Sequence, residues 1–362
     1  MQDQSFDFQL LQSLLSAFGP SGQEDEVREL CKKEIRPLVD ELWVDSAGNL
    51  IGKVNGKNKS YPAVRLMVHM DEIAMIVKRI NDDGSLRVNA LGGSYPASFG
   101  QGAVDILGDN EYFSGVLSFG SMHTTKESAS TNKIMPKEFK GEGRAPFWDS
   151  VHITTRKSPK ELEDAGVHPG TRVVISKSRR ILHHFQDCIA GYFLDNRAAI
   201  NIAIETLKYA KAEKKSFEGD VYFVATTSEE IGAFGASYAS RTLPGDISIA
   251  IDVGPVSSEY QTELNSSPIV VYQDAAATYD KTTSDNLIKL GKKLNLNPKC
   301  AVFETYASDA SISQKNGQCA KAALICLPVE NTHGYEIAHK DSIKNCANLL
   351  FSYLLEPSFT KF

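Results

Sequence analysis

Beyond residue 195 the chain alternates, with little between, helix-like and strand-like runs: NRAAINIAIETLKYAKAE, DVYFVATT, IGAFGASYASRTL, ISIAIDVG, SDNLIKLGKKLNL, AVFETYAS, ASISQKNG, AKAALICLPV and DSIKNCANLLFSYLLE. The helix-like runs repeat apolar residues every three or four positions, and the strand-like runs are almost continuously apolar, as in strands buried on both faces. That rhythm predicts an α/β fold with a mostly parallel sheet sandwiched by helices. The N-terminal part fits the same domain: two amphipathic helices (FQLLQSLLSA, EDEVRELCKKEIRPL), a hairpin around Gly48 and Asn49, and a buried strand in YPAVRLMVHMDE.

Residues 73–185 have another character. Short β-like pieces (IAMIVKRI, SLRVNALG, AVDILG, YFSGVLSF, DSVHITT, TRVVIS) are separated by Gly, Pro and Asp-Gly turns, and only SPKELEDAGV reads as a helix, capped by Ser158 with Pro159 at its first position. The pattern predicts a small β-barrel or sandwich inserted into the α/β domain. The expected division is therefore 1–72 plus 186–362 for the α/β domain and 73–185 for the β-rich insert.

At 362 residues the chain exceeds the size at which one core keeps growing, in line with two units. A formal charge of −6 argues against nucleic acid as the main partner, since phosphate binding needs a concentrated basic face. The locally basic run 126–144 also holds glutamates and reads as a solvated loop. Apolar runs stop far short of the roughly 20 residues of a membrane span, and the start lacks the basic and small-residue signature of a signal peptide. A cytoplasmic protein without a membrane partner is expected. The six cysteines form no Cys-x-x-Cys pair and read as reduced, mostly buried thiols.

In open α/β sheets ligands bind beyond the carboxyl ends of the strands, and polar residues gather there. His69 and Asp71 follow one strand, Glu229 and Glu230 a second, Asp252 a third and His333 a fourth, while Asp195 opens a helix. Singly each has a plain explanation, as a cap, a turn or a helix N-terminus rich in acids; together they suit two divalent cations. Imidazole with carboxylate selects zinc, cobalt, manganese or iron over the all-oxygen sites of calcium and magnesium. The expected arrangement gives one cation His69 and the other His333, with Asp195 bridging and Glu230 and Asp252 completing one shell each. His339, six residues later, competes with His333 for the last place. Successive side chains at a strand end point to opposite sides, so Glu230 can ligate while Glu229 serves as general base. Asp71 is expected to orient the His69 ring. The remaining histidines, His123, His152, His168, His183 and His184, read as solvated or satisfied core groups.

HMDEIAMIV, FLDNRAA, ATTSEEIGAFGA, IAIDVG and ASDASISQ…ICLPVENTHGYE resemble, in order and spacing over nearly the whole chain, the cocatalytic di-metal aminopeptidases of the glutamyl and deblocking group. Members of that family build tetrahedral dodecamers, and some carry the label endoglucanase. The resemblance implies a zinc-peptidase-like fold, the β-rich insert as a dimerisation domain, and release of amino-terminal residues from short peptides inside a hollow homo-oligomer. It implies two divalent ions per subunit, zinc or cobalt ahead of manganese, held by His69, Asp195, Glu230, Asp252 and His333, with Glu229 as base and Asp71 supporting His69. Ala74 stands where the family commonly has glycine, THGYE replaces a Met-His-Ser-Pro-like turn, and the stretch 122–148 is long. A hydrolase of the same fold acting on a carbohydrate or an N-acyl small molecule is the alternative, and a non-enzymatic assembly protein that keeps the fold is a third reading, disfavoured by the intact ligand set.

Overall fold

The computed structural model describes residue 6, residues 8–121 and residues 146–356. The basic run 126–144, His123, and the long stretch 122–148 as far as residue 145 lie outside the described residues. The chain folds as two compact units: residues 1–72 with 182–332 and 336–362, and residues 73–181 with 333–335.

The first unit opens with helices Phe8–Ser16 (α1) and Asp25–Ile35 (α2), whose first turn holds Asp25 and Glu26 and whose last turn holds Lys32 and Lys33, as the helix dipole favours. Strands Glu41–Val44 (β1) and Leu50–Val54 (β2) form the expected hairpin, with Gly48 at φ +84° in its turn, and Val64–His69 (β3) follows, buried throughout.

The second unit contains Ala74–Ile80 (β4), Leu86–Leu91 (β5), a short helix Pro96–Phe99 (α3), Gly102–Leu107 (β6), Tyr112–Ser118 (β7), His152–Thr154 (β8), helix Pro159–Asp164 (α4) and Arg172–Ile175 (β9). Its strands close a six-stranded antiparallel barrel in the order β4-β5-β8-β7-β6-β9, which leaves no unpaired edge. Of the two shapes compatible with the sequence, the barrel is the one formed. Ser158 caps α4 in a reciprocal box with Glu161.

The chain re-enters the first unit through His183–Phe185 (β10) and Cys188–Tyr192 (β11). Then come helix Leu194–Ala212 (α5), Val221–Thr226 (β12), helix Phe234–Thr242 (α6), Ile247–Pro255 (β13), Ile269–Gln273 (β14), helix Lys281–Lys293 (α7) and Lys299–Val302 (β15). Helix Asp309–Lys315 (α8), Lys321–Glu330 (β16), Tyr335–His339 (β17) and helix Lys340–Leu355 (α9) complete it. Among the described residues its strands form one sheet in the order β1-β2-β12-β3-β13-β16-β17-β11-β10, with β14 joined to β16 and β15 to β14. The central four, β12, β3, β13 and β16, run parallel and are buried almost throughout. The margins are largely antiparallel, with β15 parallel to β14, so the sheet is mixed around a parallel core. Two helical groups cover it: α5 packs with α1 and α9 and on β13 and β3, and α6 packs with α8 and on β12. All six cysteines are free thiols, Cys300 exposed and the others buried. Among the described residues no helix is long and apolar enough to cross a membrane.

Candidate metal centre

The parallel register sets the site. Thr226 pairs with His69 where β12 and β3 end together, and β13 runs beside β3, so polar residues at these ends share one edge of the sheet. His69, Asp195 and Asp252 converge: each offers a ligand atom, and these atoms lie within 4.8 Å of one another. Nε2 of His69 stands 3.0 Å from Oδ1 of Asp195, 3.9 Å from Oδ1 of Asp252 and 3.9 Å from Oε2 of Glu229. His69 and Asp252 are buried, and Asp195 lies at the margin of burial, 9% exposed.

The side of the His69 ring away from this cluster is fixed. Nδ1–H donates to the Asp71 carbonyl at 3.1 Å, and the Asp71 carboxylate sits at 3.5 Å, which leaves Nε2 facing the carboxylates. Asp71 also does something its spacing from His69 did not announce. Its Oδ1 accepts the Glu229 amide at 2.9 Å, and its Oδ2 accepts the Glu230 amide at 3.1 Å and the Ser21 hydroxyl at 2.6 Å.

Glu229 and Glu230 lie in a turn, not on extended chain. β12 ends at Thr226, and Ser228 takes a φ of +57°, so strand alternation does not separate the two side chains; the amide contacts to Asp71 orient the turn instead. The segment is pinned from the other side by Asn49, which is buried. Its Nδ2 donates to the Gly235 carbonyl at 2.9 Å and its Oδ1 accepts the Thr227 amide at 3.0 Å. Backbone there is so close that a Cβ on Gly235 would fall 2.3 Å from Asn49 Oδ1 and 2.5 Å from the Thr227 carbonyl.

Two further acids reach the cluster. Oε2 of Glu336 accepts the Asp195 amide at 3.0 Å. Asp309, at the first turn of α8, accepts the Thr226 hydroxyl on Oδ2 at 2.5 Å, while its buried Oδ1 has no hydrogen-bond partner among the described residues. The signal available for Asp309 was its place just past the strand-like AVFETYAS. His333 lies in the turn between β16 and β17 at φ +61°, within the stretch 333–335 that belongs to the barrel unit, and its Nδ1 meets the Gly93 carbonyl at 2.6 Å. His339 instead accepts the Asp341 amide at the start of α9 and has Asp187 3.5 Å from Nε2.

Proton affinities in the cluster are displaced upward. Burial raises the Asp252 carboxyl, Asp195 raises it further, and it reaches about 7; burial likewise lifts Asp309 to about 6. Glu229 is pushed well above the usual carboxylate range by burial and by the charges of Asp309, Asp252 and Glu230 against the opposing pull of His69. Burial alone would lower the His69 imidazole, but its hydrogen bonds to Asp195 and Asp71 and the Glu229 charge hold it well above its ordinary value. So many carboxylates taking protons around one imidazole is what a donor set does when it lacks compensating positive charge. With imidazole nitrogen and carboxylate oxygens within one coordination sphere's reach, the residues fit a divalent transition metal.

A His-carboxylate centre at the strand ends of a mixed α/β sheet, with a barrel inserted after the strand that delivers the histidine, defines a class of hydrolase scaffold. The chain belongs to the M42 glutamyl aminopeptidase family, whose model matches residues 48–349; it is an aminopeptidase, a peptide hydrolase. The lysyl aminopeptidase of Pyrococcus furiosus is 26% identical over 364 residues, covering 97% of each chain. Two solved structures share the fold. Aminopeptidase APDkam598 from Desulfurococcus kamchatkensis superposes with a TM-score of 0.85 at 24% identity over 98% of this chain and 96% of that one. The Pyrococcus horikoshii TET1 peptidase, described as assembling into a tetrahedron or a large octahedral shell, gives 0.81 at 22% identity over 96% and 99%.

Proposed function

We propose that the chain hydrolyses the amino-terminal residue from short peptides with the help of two divalent cations. The observation that carries this reading is the convergence of His69, Asp195 and Asp252 within 4.8 Å, with the Glu229 carboxylate 3.9 Å from the same imidazole nitrogen. His69, Asp252 and Asp195 would hold one cation, and Asp195, Glu230 and His333 the other. The donor types suit zinc or cobalt first and manganese also.

When bound, such cations act as Lewis acids that polarise a carbonyl and lower the pKa of a water. The chain's own groups do the rest. Asp71 keeps the Glu229-Glu230 turn and the His69 ring in register through three hydrogen bonds. Glu229 is placed to take a proton from water at its carboxylate and to return it to the leaving amine. Its proton affinity, lifted by burial and by surrounding acids, falls toward the working range once positive charge balances those acids. Glu229→Gln should keep the bound metal and lose about 10²- to 10⁴-fold in turnover of aminoacyl anilides. A variant as active as the parent removes Glu229 from the mechanism.

We infer further that residues 73–185 form a dimerisation module and that the subunits assemble as a dodecamer. The closed barrel and the similarity to a TET peptidase support this. Light scattering of the purified chain should return a mass near twelve subunits; a monomer refutes it.

A further inference from the structure

We propose that the barrel unit carries a binding site for a small polyanion, phosphate- or carboxylate-bearing, in a groove floored by β4 and β5 and walled by Phe147 and Trp148. The groove encloses about 530 Å³, lined among others by Lys78, Arg79, Arg87, Phe147, Trp148 and Asp149. That volume suits a small organic ligand.

The charge arrangement points to an anion. Arg79 faces Arg87 directly across the antiparallel ladder. Like charges so placed repel, and sequences normally put a carboxylate opposite. Here neither arginine nor Lys78 makes an ion pair among the described residues, and Asp149 is the lone acid against three cations in the lining.

The groups are also set in place before any ligand arrives. Nε of Arg79 donates to Asn81 Oδ1 at 3.1 Å, and Nη1 of Arg87 donates to the Val151 carbonyl at 2.7 Å. One edge of each guanidinium is thereby anchored and the remaining N–H groups are left for an acceptor of carboxylate or phosphate geometry. The ladder register shifts between Val77 and Arg79, which makes Lys78 the extra residue of a bulge, a device that re-aims a side chain. Trp148 is fixed by a 3.0 Å bond from Nε1–H to the Ser94 carbonyl and by its tilted contact with Phe99 at 5.8 Å, while Phe147 is 49% exposed. Together they offer an apolar wall, anchored at Trp148, for the carbon part of a ligand.

The test uses the full chain with Trp43→Phe, so that Trp148 is the one indole reporting. Pyrophosphate and citrate are titrated separately at low salt, by fluorescence and calorimetry, into this protein and into one also carrying Arg79→Gln and Arg87→Gln. Both anions also meet divalent cations, so the groove is read from the difference between the two proteins. Either anion should bind with a Kd below about 1 mM, weaken at least tenfold in the double variant and weaken with added salt. Whichever anion binds tighter identifies a phosphate or a carboxylate as the natural group. Arg79→Lys with Arg87→Lys, which keeps the charges without the forked donors, should recover only part of the affinity, and an unchanged melting temperature in the glutamine variant excludes misfolding as the cause. No Trp148 response to either anion, equal affinity in the glutamine variant, or a change in oligomer mass without anion binding would overturn the site, the last by assigning the cations to a contact between copies.

Discussion

Asp71 uses both carboxylate oxygens on the backbone amides of the Glu229-Glu230 turn, and its own carbonyl on the His69 ring. It is fully buried, and its carboxyl is held below the usual range: burial opposes the charge, but His69, Ser21 and the Glu229 amide outweigh it. Asp71→Ala therefore removes the acceptor for two amides at once and the negative charge 3.5 Å from the imidazole, while the backbone carbonyl that accepts from the ring remains. We expect metal content at fixed external concentration and kcat both to drop about 10- to 100-fold, the usual effect of losing a group that supports a ligand. Equal metal occupancy and kcat in the variant would show that the turn stands without it. The His-x-Asp spacing pointed to the Asp71 carboxylate as the support of the ring, whereas the 3.1 Å bond comes from the Asp71 backbone carbonyl, with the carboxylate at 3.5 Å. The amide contacts were not legible in the sequence, because a bond between residues 158 positions apart leaves no local pattern. Asp309 and Glu336 escaped for a related reason: each acts on a site element through a hydroxyl or an amide, and nothing in residue type distinguishes that from a helix start or an exposed strand acid.

At the level of elements, the buried strands and their helices were readable because continuous apolar runs and three- to four-residue periodicity reflect burial directly. Strand direction was less so. An apolar run such as AKAALICLPV looks the same whether its neighbours are parallel, as β13 is, or antiparallel, as β14 and β17 are. What fixes β3 against α5 and α1 is a buried cluster invisible to periodicity. Arg197 pairs with Glu72 at 2.6 Å, both fully buried, and its other guanidinium nitrogens donate to the carbonyls of Met70 and Leu14. The pair is two residues past Met70, so it also sets where the His69-to-Asp71 segment lies. Arg197→Met should cost about 3–5 kcal/mol, because it strands a buried carboxylate. Adding Glu72→Leu should recover much of the loss in denaturant titration. If the double variant is no more stable than the single one, the pair is not what holds these elements.

Over the whole molecule, the proposed metal assignment makes the acid cluster a link between cation binding, pH and stability. The folded-state affinities of Asp252, at about 7, and Asp309, at about 6, stand above the roughly 3.9 of an unfolded aspartate. Between those values the folded chain binds more protons than the unfolded one, so this contribution to stability is fully present below about pH 4 and is lost as pH rises toward 7. His69, also raised, acts in the same direction and loses its contribution only as pH passes its folded value. Chelator-treated protein should therefore melt lower at pH 8 than at pH 5.5. If zinc or cobalt binds as proposed, it would replace the protons with positive charge that does not titrate away, so the gain in melting temperature on adding metal should be larger at pH 8. At a hundredfold excess over Kd it is worth about 2.7 kcal/mol. Asp252→Asn deletes the titrating group and, on the proposed assignment, a ligand, and should flatten the pH dependence while shrinking the metal-induced gain. A chelated protein whose melting point climbs from pH 5.5 to 8, or an Asp252→Asn variant that keeps the parent's slope and metal response, would mean that these carboxylates are not the groups linking cation binding to the fold.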